Sequence, residues 1–168
     1  MPASLNSYVS KKCLEMAAMP LAGEVCSTLL DELDSGSVML GGAFALHFAE
    51  SAPIYLTWQN TDSHSLDIIK NIEESWCANS LAVLPLSRCD GWHKYAEATL
   101  LCVNEIRDDD ELFGVELSFA SDKESLNLTI GTGRAVFDSK WSEDLLIQAD
   151  FGKRFRFKPA TSIVEESI

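Results

Sequence analysis

Apolar residues in the first twenty positions recur at spacings of three and four. Leu5, Tyr8, Val9, Cys13 and Met16, with Lys12 among them, predict a helix over 4–18, capped at Ser4 and ended by Pro20. Further on the period changes from helical to alternating. Residues 44–58 (FALHFAESAPIYLTW) and 115–130 (VELSFASDKESLNLTI) each alternate apolar with polar positions, break at a polar turn and alternate again. That is the pattern of a β-hairpin with one buried face.

The two hairpins align with each other. Phe48 falls on Phe119, Leu46 on Leu117, Ala49 on Ala120 and Ser51 on Asp122. After one extra residue in the second copy, Leu56 falls on Leu128 and Thr57 on Thr129. A weaker likeness lies upstream. Residues 23–33 precede the charged turn Asp34-Ser35-Gly36, and residues 97–106 precede Asp108-Asp109-Asp110-Glu111. Read together, these segments predict two copies of a three-stranded meander, 23–59 and 96–133, about 71–73 residues apart.

Between the copies, Leu66, Ile69, Ile72 and Trp76 share one face of a predicted helix over 63–76. Asp67, Lys70, Glu73 and Glu74 take the other face, with Asp62 or Ser63 as cap. A short strand over 81–86 stops at Pro85. After the second copy, residues 144–151 read as a strand. The alternating stretch 153–158 (KRFRFK) reads as a final edge strand, with Phe155 and Phe157 inward and Arg154, Arg156 and Lys158 outward. The expected class is α+β: one domain over 1–158, a mainly antiparallel sheet of about seven to eight strands, and two helices packed on it. The two meanders could form one long curved sheet or a half-open barrel. Residues 159–168 form a polar tail.

Charge then narrows the partners. The 168 residues hold 26 Asp plus Glu against 13 Lys plus Arg, a net charge of −13, in a chain that is 46% hydrophobic. Such a chain can bury a core, but its field opposes nucleic acid and anionic membrane surfaces. No apolar run is long enough to span a bilayer, and the N-terminus lacks the layout of a signal peptide. The five cysteines, Cys13, Cys26, Cys77, Cys89 and Cys102, form no C-x-x-C pair. They read as free thiols in a reducing compartment, which places the chain in the cytoplasm.

Motifs for chemistry are sparse. His47, His64 and His93 share no metal-binding spacing, and Ser139 and Ser142 have no local base. The run Asp108–Glu111 lacks the alternating ligand spacing of a calcium loop and reads as a solvated turn. Gly131-Thr132-Gly133 lacks the lysine of a phosphate loop. Asn127-Leu128-Thr129 matches a glycosylation acceptor but sits within a predicted strand. The expectation is therefore no cofactor and no metal.

The layout resembles that of immunity proteins of bacterial toxin systems. The likeness rests on the paired hairpins, Phe44–Trp58 and Val115–Ile130, with helices before and between them, over about the middle two thirds of the chain. It implies a bacterial cytoplasmic protein that binds one toxin domain, and it carries over no binding residues. Independently, the charge points to a protein-binding module, an acidic inhibitor steered to a basic partner. The candidate contact residues are Asp31, Glu32 and Asp34 in one turn and Asp108, Asp109, Asp110 and Glu111 in the matching turn. Trp58 and Trp92 are candidate aromatic anchors. Two alternatives stand beside this reading. One is a small-ligand-binding or oligomeric scaffold protein. The other is an enzyme drawing on Glu50, Glu97, Glu105 or Glu116 with His47 or His93.

Overall fold

The computed structural model describes residues 4–59, 63–87, 89, 91–108, 110–122, 124–137 and 144–160. Asp62, Asp109, Ser139, Trp141, Ser142 and the tail 161–168 lie outside the described residues.

Ten strands and one α-helix make up the described fold. A first sheet has the order β5 (Leu66–Ile69), β4 (Ile54–Trp58), β3 (Ala43–Phe48), β1 (Cys13–Met19), β6 (Leu84–Pro85). A second has the order β2 (Ser37–Leu40), β10 (Leu145–Ala149), β9 (Ser125–Thr132), β8 (Glu111–Ala120), β7 (Thr99–Asp108). Every neighbouring pair runs antiparallel. The helix α1 spans Ser27–Ser35.

The sheets share one core. Phe44, Leu46, Phe48, Ile54 and Leu56 from the first meet Leu117, Phe119, Leu128, Ile130 and Ile147 from the second, all fully buried. Backbone bonds join the sheets at one corner. Ser10 N–H donates to Leu100 C=O and Cys13 N–H to Ala98 C=O, each at 2.7 Å, beside a Lys12–Thr99 bridge. The described strands stay in two open sheets and form no closed barrel.

Both aligned hairpins are present, as β3–β4 and β8–β9, and Phe48 and Phe119 are both buried at their strand ends. The flanking assignments change. Residues 23–33 are not the first strand of a meander, because α1 occupies most of them. The position beside β3 belongs to β1 instead, just as β7 stands beside β8. The helix and β2 are thus an excursion between β1 and β3, and β2 crosses over to pair with β10.

The predicted helix 4–18 is a single 3-10 turn, Leu5–Tyr8, followed by β1. β1 lies between β3 and β6 and buries Cys13, Met16, Ala17, Ala18 and Met19. A strand covered on both faces reads as an apolar run without alternation, which mimics helical spacing. The predicted helix 63–76 is β5 plus a 3-10 turn, Ile72–Glu74. Leu66 and Ile68 point into the core with Asp67 between them, and pairing to β4 overrides the helical pattern. Residues 153–158 form no strand either. They cross the outer face of the second sheet, where Phe157 bridges Val136, Phe137 N–H donates to Arg156 C=O at 3.1 Å and Lys158 N–H donates to Ala135 C=O at 2.7 Å. Phe155 is buried there, and Arg154 and Arg156 are exposed. Gly131 and Thr132 end β9 rather than forming a loop.

Candidate acidic cleft

The inner face of the second sheet changes character along its length. Across β7 and β8, Leu100 faces Phe119 and Val103 faces Leu117, all apolar. Beyond them Glu105 faces Val115, and Arg107 faces Leu112. Paired residues in an antiparallel ladder share a face. The side of the sheet that forms the core thus ends in a carboxylate and a guanidinium, joined by Arg107 Nε donating to Glu105 Oε1 at 2.7 Å.

The first sheet does not cover this end. A cleft of about 360 Å³ opens there. Leu66, Asp67 and Ile68 of β5 line one side. Val103, Glu105 and Arg107 of β7, with Leu112 and Val115 of β8, line the other. Leu5 closes one end, and Asp110 and Glu111 stand at the rim. The turn between β7 and β8 is held by Arg107 Nη1, which donates to the Asp110 carbonyl at 2.9 Å, and Asp110 has a left-handed φ of 71°. Glu105 and Arg107 therefore share an opening whose floor is apolar, with Asp110 and Glu111 at its rim and the edge of β5, Asp67 included, along one side. The guanidinium is already engaged by Glu105.

Asp67 is half-buried in the terminal strand of the first sheet. Burial pushes its carboxyl above the usual carboxylate range, and the nearby charge of Glu74 adds to the rise. Hydrogen bonds from the Gln59 side chain and the Ile68 N–H work against it. A carboxylate held at this cost would be stabilised by a cation entering the cleft.

The sequence-derived candidates scatter around this site. Asp110 and Glu111 are at its rim. Asp108 is exposed at the end of β7 and pairs with Arg134 at 3.8 Å. Asp109 lies outside the described residues. Asp31 and Asp34 are exposed on α1, away from the cleft lining. Glu32 serves the fold: Met39 N–H donates to it at 3.2 Å, and Arg154 pairs with it at 3.3 Å. The two acidic turns therefore do not form matching patches at equivalent turns of two meanders, since Asp31 to Asp34 belong to a helix.

Neither tryptophan stands on the surface. Trp58 is 6% and Trp92 2% exposed. The Trp58 indole donates to Gly41 C=O at 3.3 Å and packs against Trp76. The Trp92 indole donates to Leu33 C=O at 2.6 Å among Phe44, Tyr95 and Phe151.

The residues proposed for enzyme chemistry do not converge. His47 Nε2 meets the Ser51 carbonyl at 3.0 Å, and no histidine pairs with a carboxylate among the described residues. Glu97 forms a long, exposed pair with Lys12 at 3.9 Å. Among the described residues no group of three or more His, Cys, Asp or Glu is arranged to hold a metal ion. None of the five cysteines is in a disulfide, and burial pushes the Cys13 thiol up to about 12. No helix among the described residues is long and apolar enough to cross a membrane.

Sequence reasoning named Glu105 only as one carboxylate near the sheet and missed Asp67 and Arg107. A signal was present: Glu105 and Arg107 continue the inward positions of a strand whose other inward residues are apolar. No protein family, curated protein or solved structure matches the chain.

Proposed function

We propose that the chain is a protein-binding module whose acidic cleft receives basic side chains of a partner protein. The carrying observation is the charged end of an otherwise apolar sheet face, where Glu105 and Arg107 share an open cleft with Asp67, Asp110 and Glu111. Left uncovered, the charged pair keeps part of its hydration, and the cleft stays open to charged groups of a partner. A net charge of −13 supports the same partner class, because it speeds encounter with a basic surface. An inhibitor or immunity-type protein acting on a basic toxin domain is the narrower form of this proposal.

The test uses the exposed rim. The intact chain and an Asp110→Lys/Glu111→Lys variant are immobilised and exposed to lysate of the source cell at low salt, and retained proteins are identified. A basic protein should be retained by the parent chain, released by roughly 0.5 M salt, and lost with the variant. Retention of the same proteins by both chains would overturn the reading. The immunity form further requires that the retained protein be toxic when expressed alone and harmless when co-expressed with the chain.

A small organic cation is the second reading, favoured by the cleft volume, which lies at the lower end of the range for small-ligand pockets. A rise in melting temperature with spermidine, abolished by Asp67→Asn, would support it over a protein partner.

A further inference from the structure

β5 is the terminal strand of the first sheet, and its outer edge runs along the cleft. Its register shows which backbone groups face outward. Gln59 N–H donates to Ser65 C=O at 2.8 Å, so residues 65, 67 and 69 turn their amide groups toward β4. Antiparallel bonding alternates, so Leu66 and Ile68 turn theirs to the open edge. The Ile68 N–H also lies within reach of the Asp67 carboxyl, whose pKa it helps to lower.

That contact also guards the edge. A negative charge over an edge amide discourages pairing with any passing strand. It discriminates as well, because a basic segment can draw the carboxylate aside while an acidic one is repelled. Of the other strand beside the cleft, β7, the first residues are already bonded, by Ser10 to Cys13. The cleft thus offers an open backbone edge, an apolar floor from Leu66, Ile68 and Val115, and acidic side chains at its rim.

We propose that the partner is recognised through an extended segment that adds a strand to β5, with apolar residues on the floor alternating with Arg or Lys at the rim. This rests on the reading of the cleft as the site for a basic partner. It differs in making the backbone of Leu66 and Ile68, and not charge alone, part of recognition.

The experiment uses the intact chain and the acetylated, amidated hexapeptide Lys-Val-Arg-Val-Arg-Val. Two copies of the peptide carry N-methyl groups, one at the three valines and one at the three basic residues. Affinity is measured by calorimetry and edge protection by amide hydrogen exchange. Strand addition expects the parent peptide to bind, to slow exchange at Leu66 and Ile68, and to weaken at least tenfold in one N-methylated copy only. Equal binding by all three peptides, or equal weakening of both copies, would overturn strand addition and leave the acidic cleft standing. No binding by any of them would overturn it too, while the lysate experiment above judges the cleft separately. Glu111→Lys should weaken whichever peptides bind, which places them at the cleft.

Discussion

Asp67 illustrates how one side chain can serve the fold and the site at once. Its carboxylate covers the Ile68 amide at the sheet edge, yet burial makes the charged form costly. The folded-state pKa therefore lies above the unfolded value, so the folded chain holds the proton more tightly. Stability gained from that proton is complete below the unfolded value and is lost as pH rises through the folded one. Asp67→Asn removes the loss and keeps an acceptor for the Ile68 amide. The variant should match the parent near pH 4 and become the more stable of the two toward neutrality. Urea denaturation of both proteins at several pH values checks this, and a difference that does not change with pH would refute the assignment. The same substitution should weaken capture of a basic partner, so stability and binding move in opposite directions at this position.

At the scale of elements, the hairpins were legible because alternation broken by a polar turn has few other readings. The central and edge elements were not. β1 is buried on both faces, so its residues Met16 to Met19 carry no alternation to read. β5 has four residues and takes its strand form from β4. α1 buries only Leu29 and Leu33, and its clearest local mark was Gly36 directly after it. The cleft was legible only in its rim, Asp110 and Glu111, which stand in a visible charge run. The roles of Asp67 and Glu105 depend on where one sheet stops covering another, and that is set by pairings distant in sequence. The end of α1 gives a direct test of the helix assignment. Gly36 has a φ of +87°, and a Cβ there would meet the Phe151 ring at 2.6 Å and Gly152 N at 2.9 Å. Gly36→Ala adds left-handed strain to a clash with ring and backbone, so it should destabilise by about 2–4 kcal/mol in thermal or urea unfolding. A loss below about 0.5 kcal/mol would mean the helix does not end there in this geometry.

At the scale of the molecule, one excess of charge acts in two opposite ways. A net charge of −13 repels itself within the folded chain, and the ion pairs that could offset it are partly exposed. Pairs such as Lys94–Glu124 at 3.8 Å and Arg134–Asp108 at 3.8 Å contribute about 0–1 kcal/mol each and lose little when screened. Salt shortens the Debye length from about 10 Å at 0.1 M to about 3 Å at 1 M, so it relieves repulsion more than it removes attraction. The free chain should therefore melt at a higher temperature as salt rises. A recovery of about 1 kcal/mol corresponds to about 2–4 °C for a protein of this size. Association with a basic partner should follow the reverse trend, slowing as salt screens the steering field. Calorimetric melting and stopped-flow association over the same salt series should give slopes of opposite sign. A melting temperature that falls with salt would show that the acidic side chains are held by strong internal pairs, and the charge would then belong to the fold and not to a binding face.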